Sequence, residues 1–311
     1  MDTMMALRAH SRGGPEQLVY ERAPKPAPAP GEVLVSVHAA AVTFAELGWE
    51  SIWTREDGTD RTPIIPGHEV SGTVEETTGG SSYEVGDEVY GLIGFDRDGA
   101  AAEYVCVPEI GLARKPSSAT HEQAAAMALS ALTAWQALID HARLQPQEKV
   151  LITGGSGGVG VYAVQIARAR GAEVTATGGA AGRELVTRLG AHQYLDYAAG
   201  PVDRELSGFD VVLDAAGAGD GEALYRVLRP GGRMILLAAP PNADRAKKHD
   251  VDATFFVVSP NGGELAHLAS LVDESVLEPI VSQTFSLADG RSAYESGKLP
   301  HPPGKTVIIV P

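Results

Sequence analysis

From its start to about residue 115 the chain carries apolar residues in short runs broken by glycine and proline: Met5–Leu7, Val33–Val37, Val70–Val74, Glu88–Tyr90 and Tyr104–Val107. Short β-rich runs with such punctuation predict a compact β domain. Pro24 to Pro30 reads as an extended connector, because proline cannot donate to a ladder. At His121 the pattern changes. Glu122–Ile139 has helical spacing, and continuously apolar strands then alternate with helical segments. The predicted strands are Lys149–Thr153, Glu173–Thr177, Tyr194–Asp196, Asp210–Asp214, Arg233–Ala239 and Thr254–Ser259. The predicted helices are Val159–Arg170, Arg183–Leu189, Gly221–Leu228 and Gly263–Val272. This alternation predicts an α/β fold, a doubly wound parallel sheet covered on both faces. The tail returns to β character at Pro279–Leu287 and Lys305–Val310, around a helix-like Ala288–Ser296. The expected division is a first domain over 1–120, completed by 280–311, and a nucleotide-binding domain over 121–279.

Composition narrows the chemistry. The 311 residues include 25 Lys plus Arg against 40 Asp plus Glu, a formal charge of −15. That balance weighs against broad contact with nucleic-acid phosphates or anionic lipid. No stretch reads as a membrane span or an export signal, so a cytoplasmic protein is expected. The single cysteine, Cys106, forbids an internal disulfide and any multi-cysteine metal site.

The strand Lys149–Thr153 runs into Gly-Gly-Ser-Gly-Gly-Val-Gly, in which Gly155, Gly157 and Gly160 have G-x-G-x-x-G spacing at the start of a helix. A side chain there would hold the backbone away from a pyrophosphate, whose charge is met by amides and the helix dipole. The expected cofactor is therefore a dinucleotide. Its type is decided after the second strand, where an NAD site places a carboxylate on the ribose 2′-hydroxyl. Here the chain has Gly178-Gly179-Ala180-Ala181-Gly182-Arg183 instead. That favours NADP, with Arg183 either pairing with the 2′-phosphate or lying solvated in the first helical turn. Asp214, at the end of a buried strand, either meets the cofactor or caps the next turn.

The chain resembles the medium-chain dehydrogenases/reductases, and more narrowly their zinc-independent quinone oxidoreductase branch. The resemblance rests on Pro63–Val74, Val85–Gly91, the helical stretch Ala124–Leu138, the glycine loop, Leu228–Leu236 and Gly304–Ile308, in the family's order. It implies a Rossmann domain beside a GroES-like β-barrel domain, with the active site in the cleft between them. The cofactor residues it implies are Gly155, Ser156, Gly157, Gly158, Val159, Gly160, Gly178, Arg183, Tyr197, Ala216, Ala238, Val258 and Lys305. Zinc-dependent relatives hold the metal with a Cys, the His of Gly-His-Glu and a later Cys. Here Gly67-His68-Glu69 is present, but Thr43 and about Leu129 occupy the cysteine positions, which leaves too few ligands for a tetrahedral site. No metal is expected.

His68 and Glu69 then either satisfy backbone groups in the turn after Pro66 or touch substrate. Thr43 stands where relatives carry Asn, either bonding a ribose or substrate carbonyl or serving as a structural hydroxyl. Thr133 corresponds to a threonine beneath the nicotinamide, with back-bonding to its own helical turn as the alternative. Trp49 and Trp53, four apart, either share a helix face walling a planar substrate or pack in the core. The expected candidate catalytic residues are Thr43, Trp49, Trp53 and Thr133, and the expected reaction is hydride transfer from NADPH to a conjugated carbonyl or a quinone. A non-catalytic NADP-binding scaffold and a zinc alcohol dehydrogenase are the rival readings. The resemblance also implies a homodimer through an edge strand such as Thr254–Ser259.

Overall fold

The structure, a computed structural model, describes residues 2–55, 57–217 and 221–311. Among them a six-stranded parallel sheet has the order Gln193–Asp196, Glu173–Gly178, Lys149–Thr153, Phe209–Asp214, Leu228–Leu236, Val251–Phe255. Chain order reverses between Lys149–Thr153 and Phe209–Asp214, so their carboxyl ends open a crevice between helices on opposite faces. The inner strands are apolar without alternation because both faces are covered.

The other large sheet is completed by the tail. Its order is Val281–Ser286, Lys305–Ile309, Glu32–Val42, Glu69–Thr77, Glu88–Leu92, Leu112–Arg114, with Tyr104–Pro108 also on Glu32–Val42. Thr306 pairs with Val42 and Ala41 with Glu69, so the ends of three strands meet at one place. The helix His121–Trp135 is wedged between the two sheets, with every residue from Ala124 to Ala134 buried. Thr120 starts it with a reciprocal capping box: its hydroxyl accepts from Gln123 N (3.3 Å) while Gln123 Oε1 accepts from Thr120 N (3.0 Å).

Three elements depart from expectation. The last parallel strand is Val251–Phe255 rather than Thr254–Ser259. Gln136 takes the backbone of Ser259 out of the sheet, donating to its carbonyl (3.0 Å) and accepting from its N–H (3.1 Å). The predicted Glu122–Ile139 helix loosens after Trp135 into a π-helical turn, Gln136–His141. A helix at Ala243–His249 was not expected. None of its residues is buried, so it has no apolar stripe, and its only signals are the Asn242 cap and a basic last turn.

Where the helix His121–Trp135 begins, the His121 ring stacks on His38 (4.4 Å), its Nδ1 lies 2.8 Å from Ser71 Oγ, and Glu88 and Lys115 are close by. Burial, then His38, hold this imidazole below its ordinary pKa of 6.5, against the opposing pull of Glu88. The unfolded chain therefore takes a proton that the folded protein resists. The group's contribution to stability is complete above its unfolded pKa and declines as pH falls through that value toward the lower folded one. H121Q is expected to flatten the loss of stability between roughly pH 7.5 and 5.5, read from urea midpoints. An unchanged pH slope would exclude this histidine as its source.

Candidate active site

Two cavities meet at Ala216. The first, about 760 Å³, runs along the carboxyl ends of the parallel strands. Its floor is Gly154, Ser156 and Gly157, its far wall is Gly178 to Gly182 with Tyr197, and Pro300 to Pro303 of the tail cover one side. The second, about 510 Å³, is a chamber between the domains, walled by Trp49, Phe95, Leu129, Leu237 and Phe256, with Thr43 and Thr133 as its interior hydroxyls. Trp49 and Phe95 meet edge to face at 5.0 Å.

The glycine loop is shaped by contact. A Cβ on Gly160 would lie 2.1 Å from the carbonyl oxygen of Gly154, so the helix Gly160–Ala169 can start only if that position is bare. At Gly157 a Cβ would meet only the Gly154 oxygen, at 3.2 Å, and would otherwise project into the open cleft. Such a floor at a helix start fits a pyrophosphate. No carboxylate lines the far wall among the described residues.

Beneath the loop lies a buried ionic group made by the three converging strand ends. Lys305 Nζ is 2.5 Å from Glu69 Oε1 and donates to Thr43 Oγ1 at 2.9 Å. Thr43 Oγ1 donates to the same Glu69 oxygen at 3.1 Å, and Glu69 Oε2 accepts from Leu129 N at 3.1 Å. The Lys305 and Glu69 side chains are 7% and 2% exposed. Burial pushes the Glu69 carboxyl above its ordinary range, and Lys305 works against that push.

A second buried group braces the Gly67-His68 turn. Glu46 accepts from Gly67 N at 3.2 Å and from the Tyr294 hydroxyl, and His68 Nδ1 lies 2.7 Å from Glu46 Oε2. His68 Nε2 lies 3.3 Å from the Arg97 carbonyl oxygen. Burial and the Glu46 carboxylate drive the Tyr294 hydroxyl well above its ordinary pKa. Both ring nitrogens of His68 are engaged, and among the described residues no group of three His, Cys, Asp or Glu could hold a metal. The donor set does not fit zinc.

Of the expected site residues, Thr43, Trp49, Thr133, Val159, Ala216, Ala238 and Val258 line the chamber. Ser156, Gly157, Gly178, Tyr197 and Ala216 line the cleft. Thr133 also donates back to Leu129 O at 2.7 Å. Gly155, Gly158 and Gly160 shape the loop from behind, packed on Ala176, Lys305 and Gly154.

Three expectations are corrected. Trp53 is a core residue, 3% exposed, with its indole N–H on Leu47 O at 2.9 Å. Trp49 precedes the one-turn helix Glu50–Trp53 in an extended conformation, so the four-residue spacing does not bring the two rings to one face. Arg183 lies over the Tyr194 ring and donates to Tyr194 O at 2.8 Å, away from the cleft lining. Lys305 spends its ammonium on Glu69 and Thr43 rather than presenting it to the cleft.

Of the two roles open to Asp214, the structure shows it serving the following turn, by way of Thr153. It accepts from Thr153 Oγ1 at 2.6 Å, and that oxygen accepts from Ala216 N at 3.2 Å, which fixes the turn where the cavities meet. Cys106 is half-buried, and desolvation pushes its thiol up to about 12, which makes it a poor nucleophile. Glu46, Phe95 and the tail residues Pro300 to Pro303 were not foreseen, and Phe256, whose loop was expected to offer backbone groups at the strand ends, contributes a wall of the chamber.

Substitution separates loop shape from loop surface. G160A is expected to destabilise the protein by about 1–3 kcal/mol, since backbone must move. G157A should fold nearly normally yet weaken nicotinamide dinucleotide binding at least about tenfold, as read by calorimetry. E46A, which strands His68 and Tyr294, is expected to cost about 3–5 kcal/mol in urea unfolding.

Sequence and structure comparisons agree on the chain's kinship. Residues 29–117 match the alcohol dehydrogenase GroES-like domain and residues 189–308 the zinc-binding dehydrogenase domain. The mitochondrial NAD(P)H oxidoreductase RTN4IP1 of Danio rerio is 31% identical over 325 residues, covering 90% of this chain and 84% of that protein. The quinone oxidoreductase of Coxiella burnetii superposes with a TM-score of 0.91 at 27% identity, covering 100% of both chains. A mycobacterial protein solved in complex with NADPH superposes with a TM-score of 0.86 at 27% identity, covering 98% of this chain and 99% of its own. The glycine-loop cleft, the GroES-like domain closed by the tail and these relatives together place the chain in the medium-chain dehydrogenase/reductase superfamily, within its quinone oxidoreductase-like branch.

Proposed function

We propose that this oxidoreductase uses NADPH to reduce a conjugated acceptor, an α,β-unsaturated carbonyl or a quinone, without zinc. The observation that carries the reading is the meeting of the dinucleotide cleft, at Ala216, with an aromatic-walled chamber whose interior hydroxyl, Thr43, is backed by a buried ammonium. Bound in the cleft, the nicotinamide supplies a hydride. The chain's residues do the rest: Gly157 and Ser156 carry the pyrophosphate, Tyr197 flanks the ribose end, and Trp49, Phe95 and Phe256 exclude water and favour flat, apolar acceptors.

With Thr43 and Leu129 where zinc-dependent relatives have cysteines, carbonyl polarisation falls to hydrogen bonds. That suits acceptors already activated by conjugation and disfavours simple alcohols, whose alkoxide needs a metal. NADPH is preferred over NADH in this reading because no described carboxylate at the far wall repels a 2′-phosphate. A homodimer fits the free edge of Val251–Phe255, the last strand of the parallel sheet.

The test is turnover against a panel of enones, quinones and simple alcohols, followed by loss of nicotinamide absorbance. Enones and quinones should be reduced with NADPH at a kcat/KM no lower than that with NADH, and alcohols should not react. W49A should raise KM for planar acceptors roughly tenfold while the dissociation constant for NADPH holds. Tight NADPH binding with no turnover on any acceptor would favour a scaffold instead.

A further inference from the structure

We propose that Lys305, acting through the Thr43 hydroxyl, is the proton source for the reduced acceptor, with Glu69 holding the lysine in place. The proposal rests on the reductase reading above and adds what that reading lacks, a donor for the proton that must follow the hydride.

The chamber offers few candidates. Thr133 has its hydroxyl proton on Leu129 O (2.7 Å), and Glu50 at the mouth is paired with Arg12 (2.6 Å). Thr43 is the interior hydroxyl linked to a buried lysine, accepting from Lys305 Nζ at 2.9 Å. Its own proton rests on Glu69 Oε1 at 3.1 Å. That oxygen also has Lys305 Nζ at 2.5 Å, so the hydroxyl can rotate into the chamber without leaving the carboxylate unpaired. Behind the ammonium, the Lys305 stem packs under Gly158, where a Cβ would approach Cδ at 2.8 Å. The lysine is therefore held at the junction of the cofactor loop and the chamber.

An enone that has gained a hydride at its β-carbon carries the former π pair as an enolate oxygen. The Thr43 O–H bond breaks toward that oxygen as a Lys305 N–H bond breaks toward Thr43 Oγ. One proton has then moved from ammonium to enolate, the resulting enol tautomerises, and no protein group changes oxidation state. Water reprotonates the amine after the product leaves. Before transfer, the same hydroxyl, polarised by the ammonium, stabilises the developing oxyanion.

The decisive variant is T43V, which keeps shape and leaves the Lys305–Glu69 pair intact. One readout needs neither cofactor nor turnover: the ionisation of 4-nitrophenol bound in the chamber, followed by absorbance. Wild type and T43S should bind it as phenolate with an apparent pKa about one unit below the free value, and T43V should abolish the shift. In turnover, T43V should slow enone reduction roughly 10²-fold. It should slow an electron-poor quinone, whose hydroquinone anion is stable unprotonated and which therefore loses only the oxyanion contact, at least about tenfold less than the enone. Equal phenol ionisation in wild type and T43V, or equal losses on both acceptors, would overturn the relay. If wild-type protein reduces nothing in the panel, the reductase reading fails, and the phenol titration still decides whether Lys305 acts on the chamber through Thr43.

Discussion

The contact between Lys305 and Glu69 is the constraint on which the arrangement of the site depends. Two opposite charges at 2.5 Å, almost wholly removed from water, are tolerable only together. The lysine comes from the tail strand and the glutamate from the strand after Gly67-His68. Thr43, just past the end of a third strand, completes the triangle, and Gly158 rests on the lysine stem. The tail, the β domain and the cofactor loop therefore have to be registered together for the pair to form.

The same physics divides the labour of the two cavities. The cleft is floored by backbone and small residues, since a pyrophosphate needs close approach to amides. The chamber is walled by large rings, since a flat acceptor needs shape and exclusion of water. Asp214, expected either to meet the cofactor or to cap the next turn, holds the turn at Ala216 where they join by way of Thr153, whose part was not expected.

Much of this was legible in the order of residues. The parallel strands announce themselves as uninterrupted apolar runs, because both faces of such a sheet are covered, and the glycine loop by its spacing after one of them. Thr43, Thr133, Ala216, Ala238 and Val258 do line the chamber. What stayed hidden depends on direction and on distant partners. Trp53 and Trp49 have helical spacing, but the chain is extended at Trp49. Arg183 sits at the correct distance in sequence from the second strand, yet a carbonyl eleven residues on captures it. Phe256 enters the chamber because Gln136, 123 residues before Ser259, pulls the backbone aside. The exposed helix Ala243–His249 has no buried face to betray it.

The strand Lys305–Ile309 sits inside its sheet, between Val281–Ser286 and Glu32–Val42, rather than at its margin. During synthesis on the ribosome, the residues of the first domain emerge long before the strand that completes their sheet. The parallel-sheet unit, whose strands all lie between 149 and 255, can assemble while the earlier segment still waits with an open edge. Maturation of the GroES-like half is thus the late, long-range closure, and the interval before it is when the nascent polypeptide most needs chaperone protection.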